Sequence, residues 1–113
     1  MVTRAERFDD LVLEVATRLE ERLGPQLDEV DFAVEDVPPS DPAAWEPGEV
    51  ALGRFFPAER GSAARIVVYR RPIETRARDL HDLTDLVNDV VVEQVAAFVG
   101  VLPEELDEGY DDH

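Results

Sequence analysis

The stretch "VVVEQVAAFVG", residues 90–100, places the strongest constraint on the fold. It continues an apolar stripe that starts upstream in "RDLHDLTDLVND". Leu80, Leu83, Leu86, Val90 and Phe98 recur at helical spacing, and Gly100 suits a C-terminal cap. The spacing predicts one long helix over residues 78–100, with the half from Val90 onward its most buried part. That half carries one ionisable residue, Glu93, beside Gln94. An unpaired buried carboxylate is costly. Glu93 therefore either lines a groove or meets a partner such as an arginine of a neighbouring strand.

The segments that must cover this helix are also legible. "RAERFDDLVLEVATRLEERLG" is amphipathic, with Phe8, Leu11, Val12, Val15, Leu19 and Leu23 on one face. Thr3 is its predicted N-cap, Glu6 follows three residues later, and Gly24-Pro25 ends it. "EVDFAVEDVPP" alternates Val30, Phe32 and Val34 inward against Asp31, Ala33 and Glu35, as a strand does. A proline-rich loop, 38–49, holds the sole tryptophan, Trp45. "VALGRFFP" (50–57) is a second strand, "AERGSA" a turn, and "ARIVVYRRPIE" the strongest strand, ended by Arg71-Pro72. A short acidic turn or helix, "PEELDE", follows the long helix. Helix, three strands, helix and acidic tail make an α+β fold, with both helices packed on the sheet as one domain over residues 1–113.

Composition removes several function classes. With no cysteine, disulfides, thiolate metal sites and thiol nucleophiles are excluded. The formal net charge of −16 repels nucleic-acid phosphates and anionic lipid, so neither is expected as a partner. No apolar run reaches the ~18–20 residues that cross a bilayer. "MVTRAERFDD" has no apolar signal core, which makes the cytoplasm the expected location. All eleven basic residues are arginine, and five of them (Arg65, Arg70, Arg71, Arg76 and Arg78) fall within fourteen positions. In so acidic a chain these are expected to pair with carboxylates.

Few residues offer catalysis. The two histidines, His81 and His113, lack metal-ligand spacing, and a zinc site needs at least two positioned ligands of this kind. Ser40 and Ser62 sit in loop-like sequence, outside any strand-turn-helix nucleophile elbow. Carboxylate pairs such as Glu20-Glu21, Glu35-Asp36 and Glu104-Glu105 are expected in an acidic chain without a catalytic role.

Four of these segments resemble the small zincin-like metallopeptidases, the minimal zincin family. "FDDLV" opens the resemblance, and "VEDVP" matches the family's Val-Glu-Asp-x-Pro. "VALGRFFP" matches its leucine-glycine strand, and "IVVYRRPIE" is similar to its Tyr-Arg-Arg-Pro-Ile-Glu run. The resemblance implies a zincin-like fold over roughly Phe8 to Tyr110. In that family the long helix carries His-Glu-x-x-His-x-x-Gly-x-x-Asp, which binds zinc through two histidines and the aspartate and uses the glutamate as base.

This chain departs from that motif. Aligning Gly100 on the motif glycine puts Glu93 and Ala97 at the histidine positions, Gln94 at the base and Pro103 at the third ligand. Sliding by one residue puts Glu93 on the base, with Val92 and Ala96 at the histidines. Neither register keeps a histidine. The expectation is a zincin-like protein whose zinc site is vestigial, with no cofactor and no catalytic residue, binding a peptide or a protein. Trp45, Phe55, Phe56 and Glu93 are the contact candidates, and "VALGRFFP" the edge strand. Self-association through that surface, giving a homodimer, is a variant. Two alternatives stand beside it. One is a metal-dependent peptidase or hydrolase with a remodelled acidic site, using Glu93 with tail carboxylates or His81 and magnesium or manganese. The other is an acidic interaction protein that does not use the cleft.

Overall fold

A computed structural model describes residues 2–39 and 51–110 of the 113-residue chain. Helix α1 spans Arg4–Leu23. The Thr3 hydroxyl accepts from the Glu6 amide at 3.1 Å, and Gly24 closes the helix at φ +65°. A 3-10 helix, Gly24–Glu29, follows, with Leu27 buried. Strand β1 is Val30–Glu35, β2 is Gly53–Phe56 and β3 is Ala64–Tyr69. Helix α2 covers Arg70–Arg76, α3 covers Leu80–Val99, and α4 covers Pro103–Leu106.

The strand order is β1-β3-β2, with β1 parallel and β2 antiparallel to the central β3. The register puts Val30, Phe32 and Val34 beside Ala64, Ile66 and Val68. Gly53 and Phe55 stand opposite Val68 and Ile66. Because side chains alternate along a strand, these residues form one face, and α1 and α3 pack on it. Phe8, Val12, Val15 and Leu19 of α1 join Val87, Val91 and Val95 of α3 in that core. A fully buried valine of this kind contributes about 1.5–3 kcal/mol relative to leaving it in water. Val67 and Tyr69 point from the other face of β3 and are also buried.

Two elements differ from the sequence reading. The third strand does not run on to Arg71-Pro72; it stops at Tyr69, and Arg70 to Arg76 form helix α2. Proline is tolerated in the first turn of a helix, where amides lack intrahelical partners, so it starts a helix as readily as it stops a strand. Ile73 anchors α2 in the core, and Arg70 bonds both Glu74 at 2.9 Å and Asp36 at 3.0 Å. The second strand is also shorter than 50–57, although the Leu52 carbonyl still accepts from the Tyr69 amide at 3.0 Å. The expected turn before β3 is present, closed by paired Glu59–Ser62 hydrogen bonds with Gly61 at φ +86°.

Candidate functional site

Helix α3 and strand β2 frame the site. Gly53 lies so close to the helix that an added Cβ would meet Val90 Cγ1 at 2.7 Å and the Val67 carbonyl oxygen at 3.2 Å. Gln94 Cγ would be 3.5 Å away. One turn further along the same stripe, Phe98 meets the edge of the Phe55 ring, with centroids 5.9 Å apart and planes at 65°. Thus β2 covers Val90, Gln94 and Phe98.

The adjacent stripe of α3 carries Glu93 and Ala97, one turn apart. Glu93 is half-buried and Ala97 is exposed. The carboxylate's partner is not an arginine. The Tyr110 hydroxyl donates to Glu93 Oε2 at 2.5 Å, the length of a charge-assisted O–H···O⁻ bond. Arg65, the strand arginine, pairs instead with Glu35 at 3.0 Å on the opposite face of the sheet. Val92 and Ala96, the histidine positions of the shifted register, are buried in the core, whereas positions 93 and 97 reach the open side. Pro103 is half-buried at the start of α4.

Tyr110 reaches Glu93 because the tail is docked. Leu106 is buried, and Arg22 of α1 donates to its carbonyl at 2.9 Å. The Glu105 carboxylate caps the Leu102 amide at 2.7 Å. Asn88 donates to Asp107 at 2.6 Å and accepts from Arg18 of α1. The Asn88 hydrogen bond holds the Asp107 carboxyl below its ordinary range against the opposing effect of burial. The Gly109 amide and the charges of Arg18 and Arg22 help. Asp89, next to Asn88, is the buried charged residue among those described, and accepts from Asn88 at 3.4 Å. On the other face of the sheet, burial pushes the Tyr69 hydroxyl above its ordinary value.

The remaining candidates separate in space. Phe55 belongs to the β2–α3 packing, whereas Phe56 is 38% exposed with the Arg54 guanidinium 5.8 Å from its ring centre. Phe56 pairs in register with Arg65, so it lies on the face away from α3. Trp45 lies outside the described residues. Of the clustered arginines, Arg65, Arg70 and Arg78 have carboxylate partners, the last at 3.6 Å from Asp82. Sequence reasoning assigned the acidic tail no partner in the fold and so missed Tyr110 and Asp107, together with Asn88 on the helix they reach. A lone aromatic in "EELDEGYDDH" was the available signal for Tyr110.

Of the positions that the resemblance aligns with the zinc ligands, Glu93, Ala97 and Pro103, the first alone carries a metal-binding side chain. Among the described residues no three histidine or carboxylate side chains form a group able to hold a metal. His81 sits near the exposed start of α3, 3.6 Å from Asp85 and about 18 Å along the helix from Glu93. No described carboxylate joins Glu93; the tail residue beside it is Tyr110. Alanine offers no ligand, and the Gln94 amide is not a base. What Glu93, Gln94 and Tyr110 can do is donate and accept hydrogen bonds beside an edge strand.

A family described as zincin-like metallopeptidase has a sequence model that matches residues 27–112. The chain belongs to the zincin-like metallopeptidase family. The match begins in the 3-10 helix and takes in all three strands, α3 and the docked tail, leaving α1 outside it. No curated protein matches the chain. No helix among the described residues is long and apolar enough to cross a membrane.

Proposed function

We propose that this zincin-like chain is a non-catalytic binding module that takes an extended peptide, or an extended segment of a partner protein, along the edge of β2 that has no strand partner among the described residues. The observation that carries this reading is the juxtaposition of that edge with α3. Gly53 brings β2 into close contact with the helix, and the stripe beside it presents Glu93, held by Tyr110, and Ala97. An edge strand supplies main-chain hydrogen bonds to an added strand, and neighbouring side chains select among sequences. The groups on α3 suit recognition, because neither Gln94 nor Ala97 activates water.

The test uses tag-free protein, since an affinity tag of histidines supplies false ligands. Zinc titration by calorimetry is expected to give no stoichiometric binding near micromolar metal. Titrating isotope-labelled protein with a casein digest, a mixture of unstructured peptides, is expected to shift the amides of Gly53–Phe56, Glu93 and Ala97. Stoichiometric zinc binding that Glu93→Ala abolishes overturns the reading and makes Glu93 a metal ligand. Absence of shifts at β2 at millimolar peptide overturns the binding half.

A further inference from the structure

The opposite edge of the sheet has a groove of its own. It encloses about 540 Å³ between α1 and β1, walled by Val12, Leu13 and Ala16 on one side and by Phe32, Ala33 and Val34 on the other. Three consecutive strand residues cannot all face one cavity through their side chains, because alternate side chains point to opposite faces. A groove that touches all three reaches the strand through its backbone edge. β1 has β3 on one side and, among the described residues, no strand on the other. In such a strand every second residue directs its N–H and C=O outward. Leu13, in the middle of α1, is 65% exposed and overhangs this groove.

From this geometry we infer that the α1–β1 groove is a second peptide-docking site. Its occupant is an extended segment of about five residues, apolar at alternate positions and basic at both ends. The length follows from the two acidic residues of the wall. Asp9 and Glu20 both line the groove and lie about 16 Å apart along the helix, the span of about five residues of extended chain. The charge follows from the same wall, which contains these two carboxylates and no arginine. A second copy of the chain fits poorly: each carries a net charge of −16, and a two-fold pairing would bring the acidic walls together. The added strand pairs with β1, its apolar side chains contact Leu13, Val12 and Phe32, and its terminal charges meet Asp9 and Glu20.

The probe is an acetylated, amidated peptide of sequence Lys-Thr-Val-Thr-Val-Thr-Lys, a five-residue core flanked by lysines that share a face with its valines, with a glutamate-flanked version as control. Each is titrated into the isotope-labelled full chain. The lysine peptide is expected to shift the amides of Phe32, Ala33, Val34 and Leu13, and the glutamate peptide to bind more weakly. Leu13→Glu, at an exposed position that leaves the fold intact, is expected to weaken the lysine peptide by about tenfold in Kd or more. The double variant Asp9→Arg, Glu20→Arg is expected to reverse the preference between the two peptides. Shifts confined to β2, no shifts at millimolar peptide, an unchanged preference in the double variant, or a dimer in sedimentation lost in Leu13→Glu would each overturn the inference. The readout at β1 is separate from that at β2, so either site can fail alone.

Discussion

The two edges of the sheet meet their helices in different ways. At β2 the residues facing α3 are Gly53 and Phe55, and at Gly53 the strand comes so near that no Cβ fits between it and Val90. At β1 the residues facing the helical layer are Val30, Phe32 and Val34, and a groove of about 540 Å³ remains beside α1. A small residue lets backbone and helix approach; large side chains hold them apart and leave space at the rim. The tightly packed edge is accordingly the one where substitution is expected to matter. The open edge has room for a ligand and tolerance for change.

Three expectations separate the two edges, from the largest effect to the smallest. Gly53→Ala is expected to destabilise the protein by about 1–3 kcal/mol, because Val90 is stiff about χ1 and the Val67 carbonyl cannot move without disturbing β3. Thermal unfolding measures it. A melting temperature equal to that of the parent would mean the strand can lift off the helix, and the contrast between the edges would disappear.

The docked tail supplies the partner of Glu93, and Asp107→Asn tests its docking at an expected cost of about 1 kcal/mol at neutral pH. The folded state holds this carboxyl below its ordinary value of 3.8. Its contribution is therefore fully present above that value and fades as the pH falls through the lowered one. The stability gap between parent and variant, followed by denaturant unfolding, is expected to close below about pH 4. A gap that persists unchanged in acid would mean that the aspartate acts through packing and not through its charge. At the open edge, Leu13→Ala is expected to change stability by under about 0.5 kcal/mol, as exposed positions do. A larger loss in the same unfolding experiment would show that Leu13 closes the groove in solution.

Much of the fold was legible because each element announced its own period. The 3.6-residue stripe of α1 and the alternation of Val30, Phe32 and Val34 each specify which side is buried, and the core follows those sides. Thr3, Gly24 and Gly100 mark ends by local chemistry that needs no tertiary partner. The segment "RRPIE" was misread because proline at a strand end and proline in a first helical turn look alike locally. Burial of Ile73 and the bonds from Arg70 to Asp36 and Glu74 decided between them, and Asp36 is remote in sequence.

The site divides in the same way. That position 93 belongs to a polar pair in an apolar stretch, and that no histidine falls within residues 90–100, can be read from the chain alone. Family membership is likewise a property of the sequence, carried by residues 27–112. Which group satisfies Glu93 was decided by tertiary structure. The arginines nearest in expectation face the other side of the sheet, and the partner is a tyrosine brought back by α4, Leu106 and the Asn88–Asp107 bond. Periodicity specifies the side of an element that turns inward. It carries no information about which distant segment arrives there, because that depends on loop paths and on how closely two surfaces can approach.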